Sequence, residues 1–247
     1  MRKITLNRPL KKNAVTADML KSIIKALKEG DNDDATSIIT FTGSGDYFTT
    51  GIDLKNVRSS SSQGEQKESK PKKQGGFEAV IYPFIDCRKP LMALINGPTH
   101  GFGVTMLGLF DGVYASDRAT FQTRFTEFGL PPEFGSTYTF PKIMGAARAN
   151  HILMCNNRIS AQEAFDCGLV SRIIPHEGFH EQCYKLVKGF AQLPVKSLIY
   201  SKDLVRGRDR QLLKEVNAKE QSFFDPVAAQ EVKKKFAEKS KLKNMGL

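Results

Sequence analysis

Apolar positions along this chain follow two rhythms. Leu20, Ile23, Ile24 and Leu27 fall at i, i+3, i+4 and i+7, the spacing that lines one helix face. Thr16 stands ahead of them as a candidate N-cap and Gly30 as a stop. Arg2 to Leu6 reads as a strand, closed by Asn7-Arg8-Pro9. Ser37 to Thr42 is a β-branched run, stopped by Gly43-Ser44-Gly45. Strand, helix and strand with short joints predict a right-handed parallel crossover.

The next stretch is mixed. Tyr47 to Leu54 reads as a strand entering a turn. Arg58 to Gly76 (58–76) has no apolar period and is mostly Ser, Gln, Glu, Lys and Gly, the composition of a mobile loop. A helix is expected near Phe77 to Cys87. A buried strand follows at Leu91 to Ile95, then a turn from Asn96 to Gly103, an apolar helix and a strand at Gly112 to Ala115. From Phe134 onward the pattern is helical almost to the end. Ser160-Ala161-Gln162-Glu163 has the form of a capping box, and Gly168 to Ser171 is a short extended break. The order of elements is α/β first and all-helical afterwards.

Composition narrows the classes. The chain has 247 residues, 40% hydrophobic and 26% charged, which suits a globular protein that needs no disulfide staples. Leu91 to Phe110 carries no Asp, Glu, Lys or Arg, but Asn96-Gly97-Pro98-Thr99-His100 divides it into two short elements, so no membrane span is expected. No apolar leader precedes Arg2, and an upstream segment of the protein is expected. Cys87, Cys155, Cys167 and Cys183 show no C-x-x-C pairing and read as free buried thiols. His176 and His180 lack a third ligand, so no metal site is expected.

The formal charge is +11 at pH 7. Lys67, Lys70, Lys72 and Lys73 lie in one run and Lys233 to Lys243 in another. No aromatic residues interleave with the first run, so it offers no stacking platform for bases. A solvated face and loop are favoured over nucleic acid. Basic side chains also suit a phosphorylated small molecule.

Three separated segments are candidates for one site. Thr49-Thr50-Gly51-Ile52-Asp53 and Asn96 to Gly103 are Gly-bearing turns, the second opening a helix with unpaired N–H groups. Two such donors aimed at one point would make an oxyanion hole. Taken alone, such Gly-rich turns are commonest as simple connectors. Leu130-Pro131-Pro132-Glu133-Phe134-Gly135 places one acid between prolines and an aromatic. Glu133 is either a first-turn Glu that suits a helix dipole or a general base in an apolar pocket.

These residues resemble a known family. Leu6-Asn7-Arg8-Pro9 with Lys12-Asn13-Ala14, Phe48 to Leu54, Ile95-Asn96-Gly97-Pro98 and Ser116 to Phe121 are similar, in order and spacing, to the crotonase (enoyl-CoA hydratase/isomerase) superfamily. The likeness continues through Ile159 to Ala164 and Gly168-Leu169-Val170. Leu107 to Asp111, Pro132-Glu133 and Tyr138 to Lys142 resemble its peroxisomal and mitochondrial Δ3,Δ2-enoyl-CoA isomerases. The resemblance implies a spiral of ββα units over 1–190 and a helical C-terminal region over 191–247, used to form a homotrimer or a dimer of trimers. It implies an acyl-CoA thioester substrate, with coenzyme A arriving as part of that substrate and no separate cofactor. Thr50, Gly51, Ile52, Asp53 and Leu54 match the stretch that lines coenzyme A. The N–H groups of Ile52 and Phe102 match the oxyanion donors. The 58–76 loop is expected to flank the acyl pocket.

Departures from the family select the reaction. The two glutamates of hydratases match Thr105 and Phe125 here, and neither side chain exchanges protons with water near neutral pH. Glu133 matches the single acid of the isomerases. Phe102 and Phe134 stand where relatives often have Gly. The resemblance thus implies transfer of one proton from C2 to C4 of a 3-enoyl thioester. Another acyl-CoA reaction of the same fold and a non-catalytic acyl-CoA-binding relative remain as alternatives. Ser240-Lys241-Leu242 has the letters of a peroxisomal address, which is read only at the extreme C-terminus and is silent ahead of Lys243 to Leu247. A peroxisomal or mitochondrial location is implied by the subgroup alone.

Overall fold

Five parallel strands form the larger of two sheets in the computed structural model, which describes residues 1–53, 78–223, 234, 235 and 238. They are β1 (Arg2–Leu6), β2 (Ile39–Gly43), β3 (Leu91–Ile95), β5 (Gly112–Ser116) and β8 (Arg172–Ile174), paired in that order. The smaller sheet holds β4 (Thr99–His100), β6 (Thr120–Gln122) and β7 (Ile159–Ser160). Its β4–β6 pair is parallel and its β6–β7 pair antiparallel. β3 runs into β4 and β5 into β6, and a helix follows each pair. That alternation between two sheets is the spiral of ββα units.

The helices are α1 (Ala17–Asn32), α2 (Glu78–Asp86), α3 (Phe102–Thr105, continued by a 3-10 turn, Met106–Leu109), α4 (Ser136–Leu153), α5 (Ala161–Asp166), α6 (Phe179–Phe190), α7 (Val195–Arg206) and α8 (Arg210–Ser222). Thr16 caps α1 by accepting from Met19 N at 3.2 Å, and Ile23 and Leu27 are buried beneath it. β1 pairs in parallel with β2, as the crossover requires.

Every residue of β2, β3 and β5 is buried. Such strands are covered on both faces, which is why they read as continuous apolar runs without alternation. On one face Phe41, Phe84 and Phe110 form a ring cluster, with the Phe41–Phe110 centroids 5.2 Å apart in edge-to-face geometry. On the other, Ile38, Met92, Leu94 and Tyr114 pack against Phe179, Cys183 and Val187 of α6. Among the described residues, no helix is long and apolar enough to cross a membrane.

Some expectations change. Tyr47 to Asp53 forms no ladder, only single bridges from Thr49 to Thr99 and from Ile52 to Val15. The left-handed Gly51 breaks its extended course, and Gly51 N donates to Thr49 Oγ1 at 3.0 Å. The Asn96 to Gly103 turn contains the two-residue strand β4. Gly168 to Ser171 is not the extended piece. Gly168 is left-handed, and the strand lies just beyond it in β8. Cys155 is exposed, whereas Cys87, Cys167 and Cys183 are buried. Burial pushes the Cys87 and Cys183 thiols up to about 12. Leu54, the 58–76 loop and most of the Lys-rich C-terminal run lie outside the described residues.

Candidate active site

The first backbone donor is positioned by Val15. Val15 N donates to Gly51 O and Asp53 N donates to Val15 O, both at 2.8 Å. In an extended segment the intervening N–H, that of Ile52, faces the opposite edge. It donates to no described residue. Gly51 has φ +89°, and a Cβ there would stand 3.1 Å from His100 O, so only glycine lets the two segments approach. His100 N donates to Thr49 O at 3.0 Å and locks them together.

The Asn-bearing motifs hold this arrangement from behind. Asn13 is buried and left-handed, and its amide donates to Ser44 O at 2.9 Å and Tyr47 O at 2.7 Å. Asn96 accepts from Gly43 N at 2.9 Å and donates to Gly45 O at 2.7 Å. Arg8 and Asp53 form an ion pair at 3.0 Å. These side chains replace ladder bonds that the irregular 43–53 segment cannot make.

The second donor opens α3. Gly101 has φ +54° and ψ −124°, a conformation close to glycine-only, and it turns the chain into the helix. Val104 N and Thr105 N both donate to Gly101 O. Phe102 N, one residue into the helix, donates to no described residue. Burial pushes the neighbouring His100 imidazole down to about 4, and the charges of Arg124, Arg158 and Lys12 push the same way. The ring is therefore neutral at pH 7.

Glu133 is the acid of the site. It precedes α4 in a tight turn closed by Ser136 N donating to Glu133 O at 3.2 Å. Phe134 and Gly135 occupy the middle of that turn at φ +65° and +70°. Two consecutive left-handed residues define a type I′ turn. For Phe this conformation costs roughly 1–2 kcal/mol. The Phe134 ring offsets it by packing edge-to-face on Phe102 at 4.9 Å and on Phe84 at 5.5 Å. The Phe102 contact joins the acid's turn to the second donor.

Glu133 is only 4% exposed, and its carboxylate accepts no hydrogen bond from a described residue. Burial, then the negative charge of Glu220, pushes its pKa up to about 8. The first-turn reading therefore does not hold: Glu133 is buried and lies two residues ahead of the α4 N-cap, Gly135.

A family model, enoyl-CoA hydratase/isomerase, matches residues 1–245. The chain belongs to the enoyl-CoA hydratase/isomerase family. Enoyl-CoA delta isomerase 2 of Rattus norvegicus is 46% identical over 218 residues, 88% of this chain and 55% of that protein. The chain thus spans about half the length of that curated relative. Peroxisomal enoyl-CoA delta isomerase 3 of Mus musculus is 41% identical over 88% of this chain and 68% of its own. A solved enoyl-CoA hydratase/isomerase from Pseudoalteromonas atlantica superposes with a TM-score of 0.85, at 30% identity, over 95% of this chain and 91% of that one.

Thr105 is fully buried, with its hydroxyl on Phe102 O at 3.3 Å, and Phe125 is buried. The structure joins the Ile52 segment to His100 through Thr49 O and Gly51, and joins Phe102 to the Glu133 turn through the Phe134 ring; Thr50, Gly51 and Asp53 lie on the same segment as Ile52. The residue that sequence reasoning missed is Glu220. It sits 5% exposed on α8 and accepts from Gly135 N at 2.7 Å, Thr137 N at 3.0 Å and Thr137 Oγ1 at 2.6 Å. Leu213, Asn217 and Glu220 are the buried face of α8. A helix stripe with two polar members out of three was the available signal.

Proposed function

We propose that the chain is a Δ3,Δ2-enoyl-CoA isomerase, shifting the double bond of a 3-enoyl-CoA to give the trans-2-enoyl-CoA in the oxidation of unsaturated fatty acids. The observation that carries this reading is Glu133, a buried carboxylate with no described hydrogen-bond donor, while Thr105 and Phe125, which match the two hydratase acids, are backbone-bonded and aprotic. Names of relatives support it: the rat and mouse proteins are enoyl-CoA delta isomerases.

The chemistry follows from one group. The C2 proton of a 3-enoyl thioester is acidified by the carbonyl and by the double bond. Glu133 carboxylate takes it, and negative charge moves to the thioester oxygen. The N–H groups of Ile52 and Phe102 stabilise that charge, each such donor being worth about 3–4 kcal/mol of barrier. Glu133 then returns the proton to C4. No water is added, so one carboxylate is enough. A carboxyl pKa near 8 suits a group that must hold a proton and release it within one turnover. Thr50, Gly51, Ile52, Asp53 and Leu54 line coenzyme A, which is part of the substrate. No metal takes part.

Assembly and location belong to the same proposal. Tyr200, Leu204 and Val205 leave α7 with an exposed apolar face, which supports burial against other copies in a homotrimer or dimer of trimers. The mouse relative is named as peroxisomal, which favours a peroxisomal or mitochondrial matrix.

The test is isomerisation of trans-3-hexenoyl-CoA, followed by absorbance of the conjugated product, for the native protein and Glu133→Gln. Activity lost in the variant supports fold, substrate and base together. Full activity in Glu133→Gln removes the assignment. A native protein that binds the thioester without turnover favours the non-catalytic relative.

A further inference from the structure

The reading of Glu133 as the proton-transfer group leaves open what holds that group in place. α4 has no side-chain cap of its own, since its N-cap residue is Gly135. The first N–H groups of a helix need acceptors from elsewhere. They are supplied from α8, a helix that begins more than seventy residues later in the chain. One Glu220 oxygen accepts from Gly135 N, and the other accepts from Thr137 N and Thr137 Oγ1. Gly135 is the second left-handed residue of the Glu133 turn. Its N–H bond to Glu220 therefore fixes the peptide that follows Phe134.

We propose that Glu220 is a positioning residue for the reaction: it caps α4 from α8 and holds the Glu133–Phe134–Gly135–Ser136 turn. This rests on Glu133 being the base.

Of the other charges on the packed elements, Lys219 of α8 is exposed and Arg210 pairs with Asp203. Lys214 of α8 pairs with Asp86 of α2 at 2.7 Å, and Lys142 of α4 pairs with Asp209 ahead of α8. Burial raises the Glu220 pKa, while its three hydrogen bonds lower it. Those bonds favour its ionised form, whereas Glu133 has no described donor. Burial outweighs those bonds and leaves the Glu220 pKa raised overall, but of the two carboxyls Glu220 is the one whose charge is hydrogen-bonded. The consequence for function is that the docking of α8, a late helix, reaches the reacting group through a single side chain.

The test uses the full chain and the variants Glu220→Gln and Thr137→Val, with Glu133→Gln as the reference. Two readouts are taken. One is kcat and KM for trans-3-hexenoyl-CoA against pH. The other is the titration midpoint of the Glu133 carboxyl by infrared difference, identified by its loss in Glu133→Gln, which needs no turnover. In Glu220→Gln the midpoint and the acid limb move to lower pH, and kcat falls about tenfold or more with little change in KM. Thr137→Val removes one donor at an exposed position and shows the same shifts at smaller amplitude. It decides the question if Glu220→Gln does not fold. A folded variant with an unmoved midpoint overturns the proposal, even if kcat falls, because a merely structural cap leaves the midpoint where it was. Full activity in Glu133→Gln, by contrast, removes the base assignment and is recognised separately.

Discussion

Two buried regions of this protein that hold ionisable side chains are built on opposite plans. Behind β3, Lys89 and Lys202 are both buried and both fully partnered. Lys89 Nζ donates to Gly30 O at 3.0 Å and to Asp33 O. Lys202 Nζ donates to Lys89 O at 2.9 Å and pairs with Asp111 at 2.8 Å. Asp111 in turn accepts from Leu91 N at 2.8 Å and pairs with Arg206 at 3.3 Å. Glu133 has neither cation nor described donor, and the charge acting on it is a second carboxylate. Burial is common to both regions, so burial does not mark the site. Partnering does. A protein satisfies its buried charges where they only hold structure, and leaves one unsatisfied where a proton must move.

The sharpest way to break this contrast is to neutralise one member of each region. Glu133→Gln is expected to lower kcat by about a thousandfold or more, as removal of a positioned general base does, with the fold retained by circular dichroism. Asp111→Ala leaves Leu91 N without its acceptor and Lys202 without its counter-charge. It is expected to lower unfolding stability by about 3 kcal/mol in urea, with kcat of the folded fraction near native. If Asp111→Ala abolishes turnover in folded protein, the two regions are not separate in role.

The contrast also has a sign in pH. The Glu133 pKa in the fold, about 8, lies above its ordinary value of 4.5. Its protonated form is favoured by folding. The stability it lends is fully present below about 4.5 and is lost as pH rises through about 8. Glu133→Gln carries no such loss. Its stability relative to the native protein is therefore expected to rise across that window, by a few kcal/mol at the alkaline end, in parallel urea titrations at pH 5 and pH 9. A constant difference between the two curves contradicts an unpaired, raised carboxyl.

Much of this was legible in the residues, and what was not has physical reasons. β2, β3 and β5 are short, continuous and apolar because both faces are covered, so their runs could be read directly. The Thr16 and Ser160 caps are local, three-residue interactions, and both form as the pattern implies. Glu133 stood out as an acid among prolines and an aromatic, whereas Ile52 and Phe102 were singled out only through a likeness of motifs, since a free N–H leaves no mark in composition. β4 escaped because two residues carry no period. Glu220 escaped because its partners, Gly135 and Thr137, lie far away in sequence, and no local rule links a helix face to another helix's first turn.

Phe134 gives the finest test of how the acid is held, because two effects oppose each other at one residue. Its backbone is left-handed at φ +65°, and its ring is nearly fully buried against Phe84 and Phe102. Phe134→Ala removes the ring and keeps a Cβ in the strained conformation. About 3–5 kcal/mol of stability is expected to be lost, the usual result of emptying an aromatic site. Phe134→Gly removes the same ring and relieves the strain, since glycine enters this region freely. A larger side chain is ordinarily the safer choice in a core, but here the smaller one is expected to win. The Gly variant should be more stable than the Ala variant by roughly 1 kcal/mol, read as a difference in urea midpoints at equal slope. If the Ala variant is the more stable, the turn has relaxed out of the left-handed region, and the grip of Glu220 on Gly135 does not fix the peptide beside Glu133.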